Sequence, residues 1–117
     1  MTNDELKANY PNVYKDLECG PGWNALIGEV FAIAESHLSK MPGFKFAQIK
    51  EKFGGLRMYF DEGDDYIAGA VRLAESVSFR TCEVTGKPGR LFKRGGWVRT
   101  LCDEQAELDG FTPVKGG

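Results

Sequence analysis

Two segments of the chain carry apolar residues at the spacing of an α-helix. The first lies between Pro-Gly pairs at 21–22 and 42–43, and the second follows the acidic run 61–65, whose charge favours a helix N-terminus. Each stripe predicts an amphipathic helix whose apolar side packs in a core. The first stripe consists of Trp23, Leu26, Ile27, Val30, Ala34 and Leu38, and the second of Tyr66, Ile67, Ala70, Val71, Ala74 and Val77. A brief third helix is predicted over 3–9, before Pro11.

Strand-like alternation on both sides of Gly54-Gly55 predicts a β-hairpin, because a two-residue turn needs the positive φ that glycine tolerates. The resulting register pairs Phe53 with Leu56, Glu51 with Met58 and Ile49 with Phe60. Strand side chains alternate between faces, so one face is predicted to lie in the core and the other to carry the charges. The core face comprises Ala47, Ile49, Phe53, Leu56, Met58 and Phe60, with Glu51 as its polar member. The outer face comprises Gln48, Lys50, Lys52, Arg57 and Tyr59.

The outer face of this hairpin has two interpretations. Any single lysine on a strand is most often solvated surface. Three cations and one aromatic ring on one flat face favour a contact site instead. The candidate binding residues here are Lys50, Lys52, Arg57 and Tyr59.

A second hairpin is predicted over 90–94 and 97–101, joined by Gly95-Gly96. Its register places Arg94 opposite Trp97 and Phe92 opposite Arg99 on one face. An arginine stacked on an aromatic ring can hold a base, a nucleotide or an acidic loop. Each of these residues could instead have a purely structural role. For Trp97 we favour anchoring in the core, and for Lys93 and Arg94 we favour binding. The candidate binding residues of this hairpin are Arg90, Lys93, Arg94, Trp97 and Arg99.

Two short segments around this hairpin have the spacing of a zinc site with half of its ligands missing. Structural zinc sites use about four Cys or His ligands in two close pairs. The pair positions here hold Cys82 with Thr85 and Cys102 with Gln105, and hydroxyl and amide groups are poor zinc ligands. The order of knuckle, hairpin and helix start is that of a treble clef. The pattern therefore predicts a metal-free treble-clef or zinc-ribbon-like module that needs no cofactor.

The chain resembles small uncharacterised proteins of bacteriophages and prophages in three stretches, residues 19–23, 48–57 and 95–103. The resemblance extends over about 10–106. Members of this group carry a cysteine at the position of Thr85 and often His or Cys at that of Gln105, so this chain departs from the pattern at both. The resemblance implies a genomic setting and no particular reaction.

Composition and length predict one α+β domain over 1–117, with a helix–hairpin–helix part at 1–79 and the zinc-like part at 80–110. The architecture expected is two amphipathic helices packed on an antiparallel hairpin, followed by the module. No apolar run approaches the roughly 20 residues of a membrane span. The polar, acidic start and an odd number of cysteines, 3, favour a cytoplasmic setting. The phage resemblance implies that this is the cytoplasm of a bacterial host cell.

The formal net charge of −2 conceals alternating blocks. The net charges of residues 1–40, 41–60, 61–79, 80–102 and 103–117 are −3, +3, −4, +5 and −3. Opposite blocks can neutralise one another across the folded surface, with little gain per pair. Alternatively, the basic blocks share a face that meets a polyanion or an acidic partner. The sequence leaves both interpretations open.

Catalytic patterns are weak. His37 is the only histidine, no Gly-x-Ser-x-Gly elbow is present, and Gly86-Lys87 lacks the upstream glycine of a phosphate loop. The acidic run 61–65 fits helix capping better than a calcium loop. We therefore expect no enzymatic activity.

Three functions remain open. The leading hypothesis is a phage-type binding protein that antagonises a bacterial defence system, by occluding a defence protein complex or by sequestering a nucleotide signal. The first alternative is nucleic-acid binding through the basic hairpins, although stable non-specific binding is not expected from an acidic protein with a pI of about 5.4. The second alternative is a zinc-dependent adaptor that recruits Cys19 or His37 as a ligand.

Overall fold

Four α-helices and two three-stranded sheets form the regular structure of residues 1–115, which are the residues that the computed structural model describes. The predicted α+β class is confirmed. Residues 116 and 117 of the predicted domain lie outside the described part. The helices are α1 (Asn3–Asn9), α2 (Asn24–His37), α3 (Asp65–Ser78) and α4 (Asp103–Asp109). The strands are β1 (Leu17–Glu18), β2 (Lys45–Lys52), β3 (Gly55–Asp61), β4 (Arg90–Arg94), β5 (Trp97–Leu101) and β6 (Thr112–Pro113).

The predicted helices form where the apolar stripes lie. The N-cap of α3 is Asp64, whose carboxylate accepts a hydrogen bond from the amide of Ile67 at 3.1 Å, as expected for a capping role of the acidic run. Tyr66 departs from the prediction, because it is exposed and its ring stacks on His37 at 4.4 Å outside the core. No helix within residues 1–115 is both long and apolar enough to cross a bilayer.

The first sheet has the order β1-β2-β3. Its short strand β1 runs parallel to β2, and its two residues gave no strand signal in the sequence. The apolar sides of α2 and α3 share one core with residues from β2 and β3. The fully buried members of this core include Trp23, Ile27, Phe31, Ile49, Leu56 and Ile67.

The outer edge of β3 is covered by two side chains of α3. The amide of Leu56 donates to Ser78 Oγ at 2.9 Å, and the amide of Met58 donates to Glu75 Oε2 at 3.0 Å. These amides point away from β2 in an antiparallel ladder, so without such partners they would be unsatisfied. Helix α3 therefore closes the edge of the sheet.

The predicted register of the first hairpin is wrong. The turn residues are Phe53 and Gly54, with φ of 52° and 88°, and not Gly54 and Gly55. Gly55 is the first residue of β3, where the ring of Phe79 occupies the space that a Cβ would need. The carboxylate of Glu51 accepts the Gly54 amide at 2.7 Å and so caps the turn.

This correction changes which residues reach the core. Ile49 pairs with Met58 and Glu51 with Leu56. A register irregularity between Phe46 and Gln48 leaves Ala47 exposed, and Phe46 is buried in its place. Phe53, predicted to lie on the core face, is 77% exposed. The predicted outer face is retained, because Lys50 pairs with Arg57 and Gln48 with Tyr59.

The second sheet has the order β5-β4-β6, and the predicted pairs Arg94–Trp97 and Phe92–Arg99 are confirmed. Strand β6, which pairs with Phe92 and Lys93, was not predicted. Helix α4 begins directly after β5. Side chains of this half form a second, smaller core made of Cys82, Phe92, Leu101, Cys102, Ala106 and Phe111.

The two halves are joined at the segment 20–23, which lies inside the Cys-Gly-Pro-Gly-Trp stretch of the phage resemblance. Gly22 donates to the carbonyl of Glu83 at 2.7 Å, and the buried Trp23 indole donates to the carbonyl of Thr81 at 2.8 Å. The tip of the first hairpin adds a further contact, since Thr100 Oγ1 donates to the Gly54 carbonyl at 2.6 Å. The stretch thus has a structural role that its sequence did not reveal.

We predict that Gly22→Ala destabilises the protein by more than about 2 kcal/mol, because the added Cβ would overlap the Cys82 carbonyl and force backbone movement. Gly69→Ala is the matched control. Nothing lies within 4 Å of a Cβ at this α3 position, so it should stabilise by roughly 0.5–1 kcal/mol. Urea unfolding measures both changes, and equal effects would contradict the close packing at the junction.

We predict that Phe53→Asn raises the free energy of unfolding by about 1 kcal/mol. A bulky residue at φ of 52° is strained, and asparagine tolerates this region well. The exposed ring has little core burial to lose. Phe53→Leu retains the strain and should give no gain in thermal melting. A loss of stability in the asparagine variant would show that the ring itself holds the turn.

Candidate functional site

The outer side of the first sheet carries a set of polar and charged side chains that we call the basic sheet face. Its members are Gln48, Lys50, Lys52, Arg57 and Tyr59. Lys50 lies directly opposite Arg57, and like charges at opposed positions destabilise a sheet. Tyr59 is exposed and lies beside them on β3. The sequence predicted the membership of this face correctly, because alternation fixed it even though the register was wrong.

The cations of the basic sheet face have few internal partners. Among the described residues none of Lys50, Lys52 and Arg57 has an ion-pair partner within 4.0 Å. Arg57 donates one bond to the Leu56 carbonyl at 3.2 Å. On the neighbouring strand β1, Glu18 is opposite Lys50 in register and accepts from Gln48 at 3.2 Å, but forms no ion pair with Lys50 within 4.0 Å. This face therefore has positive charge that the fold does not neutralise.

Phe53 extends the basic sheet face at the tip of the hairpin. Its ring is 77% exposed, with the Lys52 ammonium 5.8 Å from the ring centroid. Phe53 has a strained backbone conformation and an exposed aromatic side chain, so it stabilises neither the turn nor the core. Sequence reasoning missed it as a site residue because the predicted register placed it in the core.

The arginines of the second hairpin have a different environment. Arg90 pairs with Asp103 at 3.4 Å and lies over the Phe92 ring. Arg94 donates to the Asp109 carbonyl at 2.6 Å. Its guanidinium is 5.4 Å from the Trp97 ring centroid and 4.7 Å from that of Phe111. The guanidinium groups of Arg90 and Arg94 thus form contacts with α4 and with the segment after it.

Arg99 completes this set with the most buried ion pairs. Its guanidinium is 3.4 Å from Glu83 and 3.8 Å from Asp109.

Trp97 is 54% exposed, so it is not the core anchor that the favoured interpretation expected. Lys93 points to the other side of the hairpin, because its strand position alternates with those of Phe92 and Arg94. The predicted binding residues therefore divide into an unpaired set on the first sheet and a set on the second sheet whose arginines are bonded within the fold, with Lys93 as its one cation without an ion pair among the described residues.

A small cluster of sulfur and hydroxyl groups lies beneath the second hairpin. The amide of Thr85 donates to Cys82 Sγ at 3.4 Å, and the Thr85 hydroxyl donates to Cys102 Sγ at 3.6 Å. Gln105 does not join them, because its amide nitrogen donates to Asp109 Oδ2 at 3.0 Å. Three of the four zinc-like positions are thus brought together.

Burial and the hydrogen bonds of this cluster shift the pKa of the Cys82 thiol in opposite directions. Burial is the largest influence and raises the pKa of the thiol. Hydrogen bonds from the Thr85 side chain and from the amides of Thr85, Cys102 and Val84 act in the opposite direction. Together these bonds outweigh burial, so the pKa of Cys82 is lowered from its ordinary value.

Cys19 and His37, the residues considered as replacement ligands, lie elsewhere. Burial, reinforced by Glu83, Glu51 and Glu18, raises the pKa of Cys19 to about 12. His37 Nε2 is 2.6 Å from Asp64, whose pKa is lowered chiefly by that hydrogen bond. Within residues 1–115 no group of three or more His, Cys, Asp or Glu side chains could hold a metal ion.

An open cleft of about 370 Å³ borders the sulfur cluster. It is lined by Lys87, Pro88, Gly89, Arg90, Cys102, Asp103 and Glu104. Its charged groups are paired with one another, since Lys87 is 3.7 Å from Glu104 and Arg90 is 3.4 Å from Asp103. The cleft therefore gives access to Cys102 without presenting an excess of either charge.

The chain matches no protein-family model, no curated protein and no solved structure.

Proposed function

We propose that the chain is a non-enzymatic binding protein that uses the basic sheet face and Phe53 to hold an acidic surface of a protein partner. One observation carries the proposal. The three arginines of the second hairpin are bonded to acidic side chains or to a carbonyl group, and only Lys93 of that hairpin lacks such a partner among the described residues. In contrast, Lys50, Lys52 and Arg57 share one sheet face and none of them has an ion-pair partner within the described residues. An external anionic group can therefore pair with this face without displacing an internal one.

Two further features support a protein partner for this face. The opposition of Lys50 and Arg57 costs stability that a bound carboxylate would recover. The exposed ring of Phe53 beside these charges offers an apolar anchor, and buried aromatic anchors flanked by charged rims are typical of protein interfaces. A flat sheet face also suits a macromolecule better than a small nucleotide signal, which needs a concave site.

The phage resemblance suggests what such a partner does. We propose that the partner is a protein complex of a bacterial defence system, which the chain inhibits by covering an acidic functional surface. This role rests on the resemblance of residues 19–23, 48–57 and 95–103 together with the unpaired basic sheet face. Its setting would be the cytoplasm of the bacterial host cell.

Nucleic-acid binding is the second candidate, favoured by the presence of Tyr59 beside three unpaired cations. An aromatic ring among cations can stack on an exposed base. Against it stand the acidic balance of the chain and the ion pairs of Arg90 and Arg99 in the second hairpin, which leave fewer cations for phosphates.

We also propose that residues 80–110 form a treble-clef-like module that has lost its zinc ligands. The amide of Thr85 donates to Cys82 Sγ, as backbone amides do in a zinc knuckle. The separation of 3.6 Å between Thr85 Oγ1 and Cys102 Sγ resembles the edge of a zinc–thiolate tetrahedron, roughly 3.8 Å for a Zn–S bond of about 2.3 Å. The knuckle, the β4–β5 hairpin and α4 follow in the expected order.

We predict that Lys50→Ala, Lys52→Ala and Arg57→Ala together weaken partner binding by more than about tenfold, because three contacts with acidic groups are lost. Stability should change by less than about 0.5 kcal/mol, since these side chains are on the surface. Affinity capture from a bacterial host lysate, followed by quantitative mass spectrometry, measures the loss.

The matched control replaces Lys7, Lys15 and Lys40, which are exposed elsewhere, and removes the same charge. It should retain the partner that the wild-type protein captures. A partner retained equally by both triple variants would exclude the basic sheet face as the contact surface.

We predict no appreciable binding to random DNA or RNA near physiological salt. Three phosphate contacts through Lys50, Lys52 and Arg57 would give a log–log salt slope of only about −3. Fluorescence anisotropy at several salt concentrations tests this expectation. Tight binding that shows this slope and is abolished by the triple substitution would replace the protein-partner proposal by nucleic-acid binding.

We predict that the purified protein carries far less than one zinc per chain and keeps its fold in a chelator, because Thr85 and Gln105 do not replace two soft ligands. Thr85→Cys with Gln105→Cys should restore one zinc and make stability chelator-sensitive. The control, Thr85→Ser with Gln105→Asn, should bind none. Elemental analysis and thermal melting measure these outcomes, and a folded double-cysteine variant without zinc would contradict the treble-clef assignment.

A further inference from the structure

Cys82 and Cys102 face the same small space, although they are 20 positions apart in the chain. Both residues are almost completely buried, at 0% and 5% exposure. Thr85 contacts both of them, because its amide donates to Cys82 Sγ at 3.4 Å and its hydroxyl donates to Cys102 Sγ at 3.6 Å. Since one residue reaches both sulfurs, the two thiols are neighbours.

The donor set of this space consists of two sulfurs and one weak neutral oxygen. Such a set does not satisfy zinc, which takes four strong ligands. Thiolates are soft ligands that select Cu(I), and a closed-shell monovalent ion can be satisfied by two of them. The third position is occupied by the Thr85 hydroxyl, and the fourth is absent because Gln105 is bonded to Asp109.

The geometry points to a thiolate site in which Cys82 and Cys102 together bind one Cu(I) ion. Binding replaces two S–H bonds by two Cu–S bonds and releases two protons to solvent. The copper stays monovalent, so no oxidant or reductant is needed. The product carries one net negative charge, which the Thr85 amide that donates to the Cys82 sulfur stabilises.

Access and selectivity both fit this assignment. Cys102 is one of the residues that line the open cleft, so the two thiols lie next to a solvent-filled space. Cys19 serves as an internal contrast, because it packs against the first core, away from both thiols, where burial and then nearby carboxylates raise its pKa to about 12. This site lies in the opposite half from the basic sheet face, so the two proposals can fail independently.

The test is an anaerobic titration of the reduced protein with Cu(I) in competition with the coloured chelator bicinchoninate. We expect one Cu(I) per chain. Cys82→Ser and Cys102→Ser should each weaken binding by more than about 100-fold, since loss of an outer partner alone costs roughly 10–100-fold. Cys19→Ser should leave affinity unchanged, and Thr85→Val should change it by less than about tenfold because the hydroxyl is no strong ligand.

A measurement on the unsubstituted protein keeps the proposal testable if a serine variant fails to fold. X-ray absorption at the copper edge should show two sulfur neighbours around the bound ion. A single sulfur, or a shell of nitrogen and oxygen, would overturn the assignment. So would the absence of Cu(I) uptake by the wild-type protein, or uptake that Cys19→Ser abolishes while Cys82→Ser and Cys102→Ser leave it intact.

Discussion

The carboxylate of Glu83 holds the two halves of the molecule together. It is 5% exposed and accepts the Gly20 amide at 2.9 Å while pairing with Arg99 at 3.4 Å. The backbone of the same residue accepts from Gly22 and donates to Thr100 at 3.0 Å. A buried charge is tolerated only when it is paired and hydrogen-bonded. The segment 20–23 and the second sheet must therefore keep their positions around Glu83, which fixes how the first hairpin tip meets the second sheet.

This arrangement explains why the two basic blocks of the sequence differ in the structure. The second block folds against the acidic helix α4, and the most buried of its arginines also satisfies Glu83. The three arginines of the β4–β5 hairpin are therefore bonded within the fold. The acidic residues of the first half are used differently, since Asp64 caps α3, Glu75 binds the edge of β3 and Glu51 caps the turn. None of these three acids pairs with a cation of the basic sheet face within 4.0 Å.

Local patterns predicted the four helices and the two hairpins of this chain but neither β1 nor β6, and distant contacts decided the roles of its residues. The helical stripes and the face of Lys50 follow from periodicity, which neighbouring residues alone determine. The turn at Phe53 contradicts local preference and could not be read from the sequence, because glycine is the better residue at positive φ. The role of Arg94 depends on Asp109 and Phe111, which are brought to it by the packing of α4 and the segment after it.

The hydrogen bonds that Ser78 and Glu75 accept from the outer edge of β3 affect how this protein can bind other chains. An open strand edge invites an incoming peptide to extend the sheet, and the same edge promotes aggregation. Here two outward amides of that edge are already bonded within the molecule. Recognition at this edge of the first sheet is thus left to side chains, because its bonded amides do not offer main-chain pairing to an incoming strand. A loss of α3 would remove this restriction and expose a template for self-assembly.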